Sequence, residues 1–250
     1  MIILKSNEEI ENIKKASKIV ACVLFYIEEY IRPGITTKKL NDIIDRMIRK
    51  MGGLPAFLGY KGFPASACIS VDNEVVHGIP SDKKVLEEGN IVKIDVGVNM
   101  YGFFGDGAKT YKVGKVNGEV EKLIYVTEKA LYLGISQAKP FRRVGDIGFE
   151  IQNYVESNGF SVVRDLAGHG VGHYLHEEPV VPNYGKKGQG PLLKRGLVLA
   201  IEPMVNMGTY EVKILDDKWT IVTLDGKPSA HFEHTVLVDD EPIILTESSN

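Results

Sequence analysis

A chain of 250 residues with 44% apolar and 25% charged side chains can bury a substantial core and is far from the composition of disordered or fibrous proteins. Its formal charge of -3 leaves no broad basic field for a phosphate backbone, so nucleic acid is not expected as a substrate. Two cysteines, Cys22 and Cys68, make neither a disulfide framework nor a thiolate zinc site. The apolar stretches fall short of the roughly 18 residues of a membrane helix. The opening MIILKSNEEI lacks the basic and apolar regions of an export signal, so the expected compartment is the cytoplasm.

In chain order, the first helix is expected from Ser6, whose spacing to Glu9 is that of a capping box. It continues through Ile10, Ile13, Ile19 and Val20 to a stop at Arg32-Pro33-Gly34. Cys22 lies in this apolar stretch and reads as buried filler. A second helix starts at Thr36 or Thr37, carries Leu40, Ile43, Ile44, Met47 and Ile48 on one face and closes at Gly52-Gly53. A loop rich in Gly and Pro covers 54–64, and strand-like runs follow at 67–71 and 91–98. The second half has the same order: helical patterns over 120–138 and 146–158, then strand-like runs at 160–163, 197–201, 220–224 and 235–238. Two helices and then strands, twice over, predict an internal duplication around a shared sheet. Gly89 and Gly196 each precede an apolar strand that ends in an acid, Asp95 and Glu202. No Pro- or Ser-rich linker separates the halves, so residues 1–250 are read as one domain of mixed α/β class.

The acids carry the chemistry. Val92, Ile94, Val96 and Val98 share one face of a strand and Asp95 points to the other with Lys93 and Gly97, although Asp is depleted in strands. Glu202 ends a run, Leu197 to Ile201, that reads as buried on both faces, and Glu233 directly precedes another apolar strand. A buried carboxylate needs a partner, and the nearby basic residues are few: Lys93, Lys109 and Arg195. A cation from outside the chain is the alternative. The segments Ile-Asp95-Val-Gly, Gly-Asp106-Gly-Ala, Ala-Gly-His169-Gly, Ala-Ile-Glu202-Pro and His-Phe-Glu233-His-Thr supply four carboxylates and one imidazole, which balance two divalent cations. Oxygen-rich ligation with one nitrogen suits Mn, Co, Fe or Zn as a pair and argues against a structural zinc. His173 has the four-residue spacing of a helical metal pair with His169, but Gly168, Gly170 and Gly172 oppose a helix, and it is not assigned to the site.

These five segments, in this order and with these flanks, resemble the ligand set of the type I methionine aminopeptidases, over nearly the whole chain. The resemblance implies the pita-bread fold, two pseudo-symmetric α/β halves around a curved antiparallel sheet. It implies removal of the initiator methionine from nascent chains whose second residue is small, by a hydroxide shared between two metal ions. Asp95, Asp106, His169, Glu202 and Glu233 would be the ligands, with Glu202 also passing the proton to the leaving amine. His77 would bond the substrate backbone beyond the scissile bond, and His176 would stabilise the oxyanion. Phe57, Tyr60, Phe63, Cys68, Leu175 and Trp219 would line the methionine pocket. Phe63 stands where the family often has tyrosine, and Leu175 where it often has phenylalanine. Asp72 replaces a frequent asparagine, which leaves the family's monovalent-cation site near 71–75 in doubt. The expected partners are nascent N-termini and the ribosome exit region, with no membrane and a monomeric enzyme. Prolidases and Xaa-Pro aminopeptidases share the metal set but normally carry an extra N-terminal domain, whereas this chain starts on the catalytic part.

Overall fold

The computed structural model describes residues 2–247. Helix α1 (Asn7–Ile27) begins at the capping box: the Glu9 amide donates to Ser6 Oγ at 3.3 Å, and the Ser6 amide to Glu9 Oε2 at 2.7 Å. A single 3-10 turn over Glu28–Tyr30 precedes the Pro-Gly stop. Thr36 caps helix α2 (Thr37–Lys50) through the Lys39 amide. Helices α3 (Gly118–Ile135) and α4 (Val144–Ser157) occupy the corresponding place in the second half. Among the described residues no helix is long and apolar enough to cross a membrane. Cys22 is only half-buried, so the expectation of buried filler is corrected.

The strands in chain order are β1 (Leu54–Pro55), β2 (Cys68–Val71), β3 (Glu74–Val76), β4 (Ile91–Met100), β5 (Phe103–Lys112), β6 (Ser161–Val162), β7 (Ala167–Gly170) and β8 (Glu177–Pro182). They continue with β9 (Val198–Ile201), β10 (Met204–Asn206), β11 (Val212–Ile214), β12 (Ile221–Thr223), β13 (Ser229–His231), β14 (Glu233–Leu237) and β15 (Ile243–Ile244). One nine-stranded antiparallel sheet runs β1-β4-β5-β14-β9-β7-β8, with β2 beside β4 and β15 beside β14. The β5–β14 pairing joins the two halves.

One face of this sheet is covered by helices. Val92, Ile94, Val96 and Val98 pack with Val20, Leu24, Leu40 and Ile44 of α1 and α2. Leu199, Ile201 and Val236 pack with Leu123, Leu131, Ile147 and Ile151 of α3 and α4. Each such side chain contributes about 1.5–3 kcal/mol on burial, which holds the sheet between paired helices on both halves. Side chains alternate along a strand, so the intervening residues face away from the helices.

Candidate metal centre

That alternation assembles the acids. Asp95 on β4 and Glu233 on β14 both pair with Ala108 of β5, so the three lie abreast on one face. Asp106 is two residues from Ala108 and shares its face. On β14, Thr235 pairs with Ala200 of β9, which in turn pairs with His169 of β7; Glu202 follows Ala200 by two residues. Five adjacent strands, β4-β5-β14-β9-β7, therefore bring Asp95, Asp106, Glu233, Glu202 and His169 to the same side. A slip of one residue in any pairing would turn that strand's ligand into the helical layer. Thr235 guards the central register: its hydroxyl donates to the Asp106 carbonyl at 2.7 Å and accepts from the Asp106 amide at 2.9 Å.

Ligand-capable atoms of Asp106, His169 and Glu233 lie within 4.8 Å of one another, as do those of Glu202, His231 and Glu233. Asp95 Oδ1 and Glu233 Oε1 are buried without a hydrogen-bond partner. The basic residues near these strands are engaged elsewhere: Lys109 with Glu28, Arg195 with Asp239 and Asp240, and Lys93 with the Asp72 carbonyl at 2.7 Å. Burial pushes Asp95 up to about 7, with the Glu202 charge adding to it, and burial pushes Glu202 to about 7. Asp106 and Glu233 are driven well above the carboxylate range by burial and by the neighbouring acids. His169 adds a direct sign. Its Nδ1 lies 2.9 Å from the Gly170 carbonyl, which can only accept, so Nδ1 is a donor and Nε2 is the nitrogen left for the acid cluster. Nε2 lies 3.5 Å from Glu202 Oε1 and 4.0 Å from Asp106 Oδ2. A ring nitrogen set among carboxylates that no Lys or Arg of the described residues meets is the donor set of a divalent cation.

Gly168 sets the approach of the strand that carries His169. A Cβ there would meet the Ala200 carbonyl oxygen at 2.3 Å. Gly168→Ala is expected to push β7 off β9 and weaken Mn(II) binding at least tenfold; calorimetric titration of metal-stripped protein checks it.

The five expected ligands, His77, His176 and the six expected pocket residues all line one cleft of about 250 Å³. Phe57, Phe63, Cys68 and Leu175 form its buried apolar wall, with Tyr60 and Trp219 packed against it. Phe63 meets Trp219 edge-on at 5.1 Å. Burial and the three acids Asp95, Asp106 and Glu233 hold the Cys68 thiol well above its usual range, so it lines the wall as a neutral thiol. His77 sits at φ 58°, a left-handed conformation uncommon for a side-chain-bearing residue and often found at functional sites. Burial lowers His77 to about 4 and His176 to about 3, so both are neutral donors near pH 7. The Tyr60 hydroxyl lies 3.0 Å from His176 Nδ1, and the two rings stack.

His173 is elsewhere, bonded through Nε2 to Glu9 Oε1 at 2.9 Å. At the doubtful cation site, the Asp72 carboxylate accepts from the Ile91 amide and Asn90 Nδ2, and the Lys93 ammonium occupies its carbonyl. Sequence reasoning missed His231, which stands two residues before Glu233 and shares its face. The alternation His-Phe-Glu carried that signal, but the strand was read as beginning only at Thr235.

The comparisons agree with this geometry. The model of metallopeptidase family M24 matches residues 11–240. A methionine aminopeptidase of Clostridium perfringens is 54% identical over 98% of this chain and 99% of its own length. Methionine aminopeptidase 1 of Bacillus subtilis is 50% identical over 96% of each chain. The crystal structure of the Thermotoga maritima methionine aminopeptidase superposes with a TM-score of 0.98 at 45% identity, over 99% of this chain and 100% of that one. The prolidase of Pyrococcus furiosus shares the pita-bread fold at a TM-score of 0.80 and 24% identity, with 66% of its chain covered. With a buried acid cluster that demands divalent metal and with these relatives, the chain belongs to metallopeptidase family M24, among its methionine aminopeptidases.

Proposed function

We propose that this chain hydrolyses the first peptide bond of nascent proteins that begin with methionine followed by a small residue, using two divalent metal ions held by Asp95, Asp106, His169, Glu202 and Glu233. The observation that carries the reading is the convergence of these five groups, from five neighbouring strands, beneath one small apolar cleft. When bound, the metal ions supply Lewis-acid activation of water and of the scissile carbonyl. The chain's own residues do the rest. The substrate's free terminal amine would bind at the metal pair held by these residues, which restricts the reaction to chain ends. The methionine side chain lies along Phe57, Phe63, Cys68, Leu175 and Trp219, a wall suited to an unbranched, polarizable thioether. Glu202 accepts the proton of the attacking water and delivers it to the leaving amine. Tyr60 donates to His176 Nδ1, which leaves Nε2–H as the donor for the developing oxyanion. His77 bonds the substrate backbone beyond the cleaved bond.

We also propose that residues 1–250 act as one catalytic unit, monomeric and cytoplasmic, meeting its substrates at the ribosome exit region, with Mn, Co, Fe or Zn as the metal. Metal analysis of freshly purified protein, with an assay of Met-Ala-Ser against Ala-Pro peptides, tests the reading. Release of methionine from the first with two metals per chain is expected; a preference for Ala-Pro would make it a proline-directed enzyme. His77→Ala and His176→Ala are each expected to cut kcat/KM by about 10²–10³-fold with metal content unchanged. Loss of metal in either variant would place that histidine among the ligands instead.

A further inference from the structure

His231 is 1% exposed, and neither ring nitrogen has a hydrogen-bond partner among the described residues. Its main chain is clamped from both ends: its amide donates to Thr110 Oγ1 at 3.0 Å, and its carbonyl accepts from the same hydroxyl at 2.7 Å. Pairing with Met204 across β10 fixes the other side. From this fixed main chain the ring reaches towards Glu202, and its Nε2 ends 3.5 Å from Glu202 Oε2. The other oxygen of the same carboxylate, Oε1, lies 3.5 Å from His169 Nε2. Glu202 is itself anchored through its carbonyl, which accepts from Asn183 Nδ2 at 3.0 Å.

The two imidazoles face the carboxylate differently. His169 falls in the group with Asp106 and Glu233, and His231 in the one with Glu202 and Glu233; the Nδ1 of His169 is bonded to the Gly170 carbonyl and its Nε2 faces Oε1 together with Asp106 Oδ2, which sets Oε1 towards the shared acids. Oε2 is turned towards His231. A buried ring with two idle nitrogens is costly where an apolar side chain would fit, unless one nitrogen serves a neighbour. Carboxylates that ligate metals are characteristically held by a hydrogen bond on the free oxygen. We propose that His231 is a positioning residue: its Nε2–H donates to Glu202 Oε2 and fixes the carboxylate plane for both metal retention and proton transfer. This rests on the functional reading above, and neither the ligand set nor the pocket named there includes it.

The test compares full-length wild type with His231→Leu, His231→Gln and His231→Asn after metal stripping. Mn(II) affinity is read by calorimetry, the Co(II) form by its visible absorption, and kcat and KM on Met-Ala-Ser. Leu fills the space without a donor, Gln keeps an N–H at similar reach, and Asn keeps the amide but falls short. Leu and Asn are expected to weaken Mn(II) binding by about 10–100-fold, shift the Co(II) spectrum and lower kcat more than they raise KM. Gln is expected to remain within about threefold of wild type, as a donor role requires. Should Leu misfold, Gln against Asn gives the same contrast. Wild-type binding in both Leu and Asn would overturn the proposal, and so would equal losses in Gln, which would make the ring nitrogen a metal ligand. Failure of wild type itself to bind Mn(II) would overturn the functional reading instead.

Discussion

Glu202→Gln is expected to reduce kcat on Met-Ala-Ser by about 10³-fold or more at saturating Mn(II), with the unfolding transition of the metal-free protein little changed. The amide has the size of the carboxylate and can still offer its oxygen, so the neighbours His169, His231 and Asn183 keep their places. What it cannot do is take a proton near neutral pH and give it back. The loss should therefore fall on kcat rather than KM, because the substrate's side chain is held by the apolar wall and not by Glu202. Stopped assays across a range of Mn(II) concentrations separate this from weaker loading. Turnover like that of wild type would remove Glu202 from proton transfer.

The second large effect is on stability. Metal-free protein is expected to lose stability as pH rises from about 6.5 to 8, and Mn(II) is expected to abolish that loss. Carboxylates whose folded values are raised hold protons that the unfolded chain has released, so the folded state binds more protons and stability falls with rising pH. The window matters because other groups oppose the trend. His77, His176, His231 and His234 are lowered by burial to values of about 3 to 4, so they add stability as pH rises towards 6.5 and nothing above it. Burial holds Lys93 at about 7, so above that pH it also opposes the slope, but as one group against Asp106 and Glu233, which are raised well above the carboxylate range and continue the loss after Asp95 and Glu202 have titrated at about 7. The net loss is expected to reach a few kcal/mol, less than the sum of separate sites because the acids titrate together. Mn(II) at about 1,000 times its Kd would add roughly 4 kcal/mol.

Asp106→Asn isolates the cause. Removing one of four crowded carboxylates should make the metal-free variant more stable than metal-free wild type at pH 8, by roughly 1–3 kcal/mol, while the gain from Mn(II) largely disappears. Urea unfolding at pH 6.5, 7, 7.5 and 8, with and without Mn(II), measures both. A metal-free wild type whose stability is flat or rising over that range would mean the acids are not the repelling cluster described here.

Local chemistry wrote the helices plainly: Ser6 and Glu9 start α1, Thr36 starts α2, and the apolar positions of each repeat near 3.6 residues. It also marked Asp95 and Glu202 as acids out of place, since an apolar strand has no use for a lone carboxylate. Strands without alternation were illegible. Residues 103–112 and 167–170 are broken by glycines, and they became β5 and β7 only by pairing with partners distant in sequence. Those two strands carry Asp106 and His169, which the resemblance named but no local pattern placed.

By itself the sequence determined the helices, the two acid-ended strands and the ordered set of metal-binding residue types. Only the tertiary structure decided that Asp95, Ala108 and Glu233 stand abreast, that Lys93, Lys109 and Arg195 are engaged away from the acids, and that His231 faces Glu202. The reason is that strand register and charge pairing are settled between segments, up to 138 positions apart for Asp95 and Glu233 (233 less 95), where burial and hydrogen bonding are decided by whatever the rest of the chain brings alongside.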